Sequence, residues 1–156
     1  MRGRAVDALS TCGDETIPPR LLPLAKGELG LDPQDEMKGY ALQIMWPKHM
    51  SADELFSMIT RPNEGFVGAY VMFLTKTLPE TLAADDLPVA LKWAGSFAAK
   101  EHHTGDYHRR SLADSIFVRA WRNLDHPGVM DALVEYVFAR LRPSHNLFGS
   151  TGLREA

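Results

Sequence analysis

Val129-Met130-Asp131-Ala132-Leu133-Val134-Glu135-Tyr136-Val137-Phe138-Ala139-Arg140-Leu141 is the stretch on which the fold turns. Its apolar residues Val129, Met130, Leu133, Val134, Val137, Phe138 and Leu141 recur at steps of three and four, the spacing that gathers side chains on one face of an α-helix. Just before it, Leu112, Ile116, Ala120 and Leu124, flanked by Ala113, Phe117 and Trp121, repeat the pattern. Two adjacent broad stripes of this kind predict a helix pair sharing a core.

The same grammar runs back through the chain. Leu21, Leu22, Leu24 and Ala25 obey it briefly, as do Met37, Tyr40, Ala41, Ile44 and Met45, then Leu55, Phe56, Met58 and Ile59, then Phe66, Val67, Tyr70, Val71 and Leu74. No strand-like alternation of useful length occurs. Punctuation agrees: Ser51-Ala52-Asp53-Glu54 and Ser111-Leu112-Ala113-Asp114 have the form of capping boxes or close relatives. Pro18-Pro19 after Thr16, Pro88 after Asp85-Asp86, and Pro127 after Asp125 sit where a first helical turn tolerates proline. Helices are expected near 4–11, 17–27, 34–46, 51–60, 64–77, 86–99, 110–124 and 127–142, and their short connections force neighbours to lie antiparallel. The expected fold is all-α, with about seven or eight helices in one domain over 1–156 and a turn-rich, flexible tail over 143–156.

A weak echo points to stacking. Ala5-Val6-Asp7-Ala8-Leu9, Cys12-Gly13-Asp14 and Leu21-Leu22-Pro23-Leu24-Ala25 are answered by Ala41-Leu42-Gln43-Ile44-Met45, Trp46-Pro47 and Leu55-Phe56-Ser57-Met58-Ile59. The register, roughly 34–36 residues, is in the range of helical solenoids, and the pattern is that of HEAT-like hairpins, an α-solenoid segment. It is shorter than typical HEAT units, so a bundle stays open.

The 156-residue chain is 45% hydrophobic and 24% charged, the balance of a soluble globular domain. Its net charge of −3 offers no global basic excess for nucleic acid or an anionic membrane. The single cysteine, Cys12, excludes an internal disulfide and a Cys-based zinc site. With no signal-peptide core after Met1-Arg2-Gly3-Arg4, that favours the cytoplasm.

Asp35-Glu36-Met37-Lys38-Gly39-Tyr40-Ala41-Leu42-Gln43-Ile44-Met45-Trp46-Pro47, Ser51-Ala52-Asp53-Glu54-Leu55-Phe56, Gly65-Phe66-Val67-Gly68-Ala69-Tyr70 and Asp86-Leu87-Pro88-Val89-Ala90-Leu91 carry a resemblance to a known family. Over residues 4–93 the chain resembles the helical region downstream of the NTPase in large bacterial NACHT-type proteins of the signal-transducing (STAND) class. The resemblance implies a helical-repeat sensor or scaffold joined to a nucleotide switch, and several bacterial relatives are implied to act in defence against phage. No Gly-x-x-x-x-Gly-Lys-Ser/Thr occurs here, so no ATPase site transfers. The start inside an Ala-rich helix, without a polar capping unit, is expected of a fragment or a standalone relative of that region.

Candidate chemistry is sparse. Glu101-His102-His103-Thr104-Gly105-Asp106-Tyr107-His108 supplies the metal-ligand candidates His102, His103, Asp106 and His108, but Thr104-Gly105-Asp106 reads as a turn and no His-Glu-x-x-His spacing is present. A solvated inter-helix loop is the favoured reading. No Gly-x-Ser-x-Gly elbow occurs, and Cys12 has no histidine near it in sequence. Gly39 and Gly68, read as helix-interior glycines, are expected to mark close helix approach or, alternatively, backbone offered to a ligand. Trp93, Phe97, Trp121, Phe117 and Phe138 are expected in the core, whereas Trp46, ending a helix before Pro47, is read as a half-exposed hydrophobic cap or an interface anchor. Arg109, Arg110, Arg119 and Arg122, with Arg140 and Arg142, form a nucleic-acid lead opposed by Asp114, Asp125, Asp131 and Glu135, which can pair with them.

The sequence therefore predicts a non-enzymatic protein-interaction module without a cofactor. Trp46, Arg119 and Arg122 are its interaction candidates. Its partner would be another protein or the rest of a larger polypeptide, with homodimerisation through exposed end helices a natural way to cover them. The rival readings are nucleic-acid binding through the arginines and a metal-dependent hydrolase using the His102–His108 loop.

Overall fold

The computed structural model describes residues 17–28, 30, 32–63, 67–98 and 107–145. Among these every regular element is helical. The elements are α1 (Ile17–Ala25), α2 (Glu36–Met45), α3 (Ala52–Met58), α4 (Ala69–Met72), a π-helical turn (Phe73–Thr77) running into α5 (Leu78–Thr81), a 3-10 turn (Ala84–Asp86), α6 (Leu87–Ala98), α7 (Tyr107–Trp121) and α8 (Val129–His145). The helix expected near 4–11 lies outside the described residues. No described helix is long and apolar enough to cross a membrane. The chain, expected as one domain, groups into two compact units: residues 1–82 with 106–112, and residues 83–105 with 113–156.

In the first unit α2 packs against both α1 and α4. Ala41 and Leu42 of α2, Leu55 of α3, and Tyr70, Phe73, Leu74 and Leu78 beyond are fully buried, as the three-and-four spacing requires. Gly39 is where α2 and α4 touch: a Cβ there would overlap the backbone of Ala69 and Tyr70, coming within 2.6 Å of Tyr70 Cα. Close helix approach, one of the two readings of this glycine, is what the structure shows. Gly68 differs. It precedes α4 as its N-cap in extended backbone, φ 164° and ψ 168°, and is not a helix-interior residue, because the helix expected from 64 starts only at Ala69.

Ser51 caps α3 as the sequence predicts, its Oγ accepting from Glu54 N at 3.3 Å while Glu54 Oε2 accepts from Ser51 N at 2.9 Å. Ser111 does not repeat this. It lies inside α7, which begins at Tyr107, so Ser-x-x-Asp there is simply helix-interior sequence. Pro127 sits in the turn before α8 rather than within its first turn. Of the expected tail, residues 143–145 belong to α8, and 146–156 lie outside the described residues.

In the second unit α6 lies along α8. Pro88 near the start of α6 meets Gly128 just before α8, and Gly95 further on meets Tyr136 and Ala139, so the two helices run parallel. α7 runs the other way beside α8: Asp114 pairs with Arg140 at 3.0 Å, and the Phe117 and Tyr136 rings are 6.0 Å apart. Ala113, Ile116 and Ala120 of α7 and Val129, Leu133 and Tyr136 of α8 fill this core.

Candidate functional site

Unit one holds a polar cluster that sequence spacing does not announce. Asp35 begins α2 in left-handed backbone, φ 55°, a conformation Asp tolerates better than most residues, and its side chain makes no cap bond. Instead its two oxygens accept from Asn63 N at 2.7 Å and Asn63 Nδ2 at 2.9 Å. Asp32 Oδ2 accepts from Lys38 N at 2.9 Å. The Lys38 ammonium is buried, donates to Thr60 Oγ1 at 2.6 Å and sits 4.5 Å from the centre of the Tyr70 ring. Tyr70 donates its hydroxyl proton to Thr60 O at 2.8 Å and accepts from Thr60 N at 3.0 Å.

Burial lowers the Lys38 ammonium below its ordinary value, against the opposing charges of Asp35 and Asp32. Burial also pushes the Tyr70 phenol up to about 12, its Thr60 bonds resisting. Perturbed groups of this kind can mark a catalytic centre. Here, however, the carboxylates and the phenol are spent on backbone atoms and on Asn63, so their evident work is to fasten the 59–63 loop onto α2 and α4. A neighbouring cleft of about 330 Å³ is lined by Leu24, Gly27, Asp32, Pro33, Asp35 and Met37 among others. A second, of about 270 Å³, is lined chiefly by Met45, Met50, Met58, Leu22 and Pro19 with His49 and Glu54.

Trp46 is not half-exposed. Its indole is buried, and Nε1 donates to Thr81 Oγ1 at 2.8 Å, so it caps the interior of the first unit. Of the metal candidates, His102, His103 and Asp106 lie outside the described residues, and His108 lies in the first turn of α7 with its ring edge-on to Tyr107. Among the described residues no group of three His, Cys, Asp or Glu is gathered as a metal would need. Arg109 and Arg119 are half-buried and, with Arg110, engaged by neighbours; Arg122 is exposed in the turn after α7. Arg140 is tied to Asp114 and donates to the Tyr136 hydroxyl at 2.8 Å.

The surface feature that stands out is apolar. Met130, Val134, Val137, Phe138 and Leu141 of α8 are between 38% and 61% exposed, although the sequence pattern assigns them with Val129 and Leu133 to one core stripe. Trp121, also expected in the core, is 62% exposed and stacks on Phe117 at 6.4 Å, with Val118 exposed beside it. The physical reason is width. At about 100° per residue the apolar residues of α8 span more of its circumference than the side that α6 and α7 cover. Val129, Leu133 and Tyr136 take the packed side, and the other five are left facing outward as a second stripe. Scattered exposed apolar residues are ordinary, but a contiguous run on one helix face is the usual mark of a docking surface.

Compared with protein-family models, curated proteins and solved structures, the chain matches none.

Proposed function

We propose that this chain is a helical protein-interaction module whose docking surface is the outward stripe of α8, widened by Val118 and Trp121 of α7. The observation that carries this is the second apolar face of α8, exposed on a helix whose first face is already satisfied. Parallel α6 and α8 with an opposed α7 are also what stacked antiparallel hairpins require, which supports the HEAT-like arrangement as part of the same proposal. The likeness of residues 4–93 to the helical region of NACHT-type proteins adds a context: such a segment would serve as sensor or scaffold beside a cytoplasmic nucleotide switch.

The test is chemical access. In a Cys12→Ser background, Val134→Cys and Phe138→Cys should react with a maleimide in dilute solution at nearly the rate of a free peptide thiol, and Leu133→Cys far more slowly. Protection of positions 134 and 138 equal to that of 133 would mean that the chain covers its own stripe, and the proposal would fall.

A further inference from the structure

Three methionines border one cleft of the first unit, the one of about 270 Å³ beside the end of α2. Met45 is the last residue of α2, and the turn that follows brings His49 back to it, the His49 N–H donating to Met45 O at 2.8 Å. Met50 directly precedes the Ser51 cap of α3, and Met58 is the last residue of that helix. Leu22 and Pro19 of α1 supply an apolar wall. Met45 and Met50 are buried, Met58 is half-buried, and His49 is exposed at the rim.

Methionine is ordinarily core filler, because its three rotatable bonds let it close irregular gaps. Here three of them border a cleft instead of closing it, beside an imidazole. Thioether sulfur is a soft, uncharged donor and imidazole nitrogen a borderline one, a set that selects Cu(I) over harder divalent ions. The Glu54 carboxylate, also on the cleft, is held by the Ser51 N–H at 2.9 Å and the Ser51 hydroxyl at 2.8 Å. It adds negative charge near a cation without being a free ligand. Among the described residues no three His, Cys, Asp or Glu come together, so no set of harder donors competes.

We propose that this cleft is a Cu(I) site, with the Met45, Met50 and Met58 sulfurs and the His49 imidazole as ligands. It lies in the first unit and is independent of the α8 stripe. The same torsional freedom that makes methionine a filler lets three sulfurs draw together on an ion smaller than the cleft. Four neutral ligands leave a single positive charge at the site, and Glu54 beside it supplies the counter-charge that a partly buried ion requires.

The probe is Cu(I) itself, kept reduced with ascorbate under nitrogen and added to the full chain in a Cys12→Ser background, where no thiolate competes. The chain should hold one equivalent against ferrozine, a chromogenic Cu(I) chelator, and an equal concentration of Zn(II) should not displace it. Copper K-edge absorption should show a coordination sphere dominated by sulfur, with one histidine. Met50→Leu with Met58→Leu keeps side-chain volume and should leave the metal-free melting temperature nearly unchanged. Loss of a group that merely orients a ligand costs about 10–100-fold in metal affinity, so this double variant and, separately, His49→Ala should each weaken Cu(I) binding by at least about tenfold. Should the double variant fail to fold, His49→Ala decides alone, because its side chain is exposed. Copper that passes wholly to ferrozine, a coordination sphere of nitrogen and oxygen, or affinity undiminished in either folded variant would overturn the site.

Discussion

Substituting Gly39 by alanine sets two well-understood effects against each other. In the interior of α2 the change should stabilise the helix by about 1 kcal/mol, the propensity difference between the two residues. At this position, however, the added methyl would enter the backbone of Ala69 and Tyr70, with Tyr70 Cα only 2.6 Å away. No rotamer change relieves a clash with main chain, so α2 and α4 must move apart. Overpacking of this kind costs about 1–3 kcal/mol and sometimes more, and backbone overlap belongs at the upper end. The net expectation is a loss of at least about 2 kcal/mol, a melting temperature lower by about 4–8 °C for a chain of this size.

Two other glycines calibrate the assay. Gly68→Ala places a methyl 3.0 Å from Glu36 Oε1, the end of a side chain that can swing away, in backbone any residue adopts. It should stay within about 1 kcal/mol of the parent. Gly95→Ala, inside α6, meets Ala139 Cβ at an ordinary 3.6 Å and should gain up to about 1 kcal/mol. Urea and thermal unfolding monitored by circular dichroism would rank the three. A Gly39→Ala protein that melts at or above the parent would refute the α2–α4 contact and the reasoning built on it.

The first unit yields three further expected outcomes. Ser51→Ala should destabilise by about 1 kcal/mol at neutral pH; the residue-51 backbone N–H and, less strongly, the Ser51 hydroxyl hold the Glu54 carboxyl below its usual range, and alanine keeps the first bond and loses the second, so the gap between variant and parent should narrow only in part between pH 7 and pH 3 in denaturation curves. Tyr70→Phe removes both bonds to Thr60 and should cost about 1–3 kcal/mol. The parent should also lose stability as pH rises from 10 toward 12, since the unfolded phenol ionises while the folded one keeps its proton, and Tyr70→Phe should flatten that alkaline limb in pH-dependent urea titrations. Asp35→Ala, which strips Asn63 of two bonds and puts alanine at φ 55°, should cost about 2–4 kcal/mol by urea unfolding, with Asp35→Asn recovering part of it.

Helices are legible in the sequence because periodicity and caps are local. The Ser51 box and the buried positions 112, 116 and 120 can be read directly. The Asp35–Asn63 and Lys38–Thr60 ties cannot, because they join residues more than twenty positions apart through loops that carry no periodic signal. Ser111 shows the limit of motif reading, since the same residue types occur inside a helix. Trp121 and Phe138 show another: three-and-four spacing says that a face is apolar and not whether a neighbour covers it. The excess width of the α8 stripe is present in the sequence, and only the packed positions of Leu133 and Tyr136 show which part of it stays uncovered.

The π turn at Phe73–Thr77 bears on how the chain can change in length. Tyr70, Leu74 and Leu78, with Leu82 just past the end of α5, are spaced every four residues and all fully buried. In a regular helix each such step drifts by about 40° around the axis. A wider turn, closing five residues on instead of four, winds back part of that drift and keeps the series in phase. The wide turn therefore holds one residue more than an ordinary one. Exposed Lys76 is open to substitution, and deleting one residue from 73–77 would close the turn to the ordinary four-residue step with Leu78 and Leu82 still facing the interior.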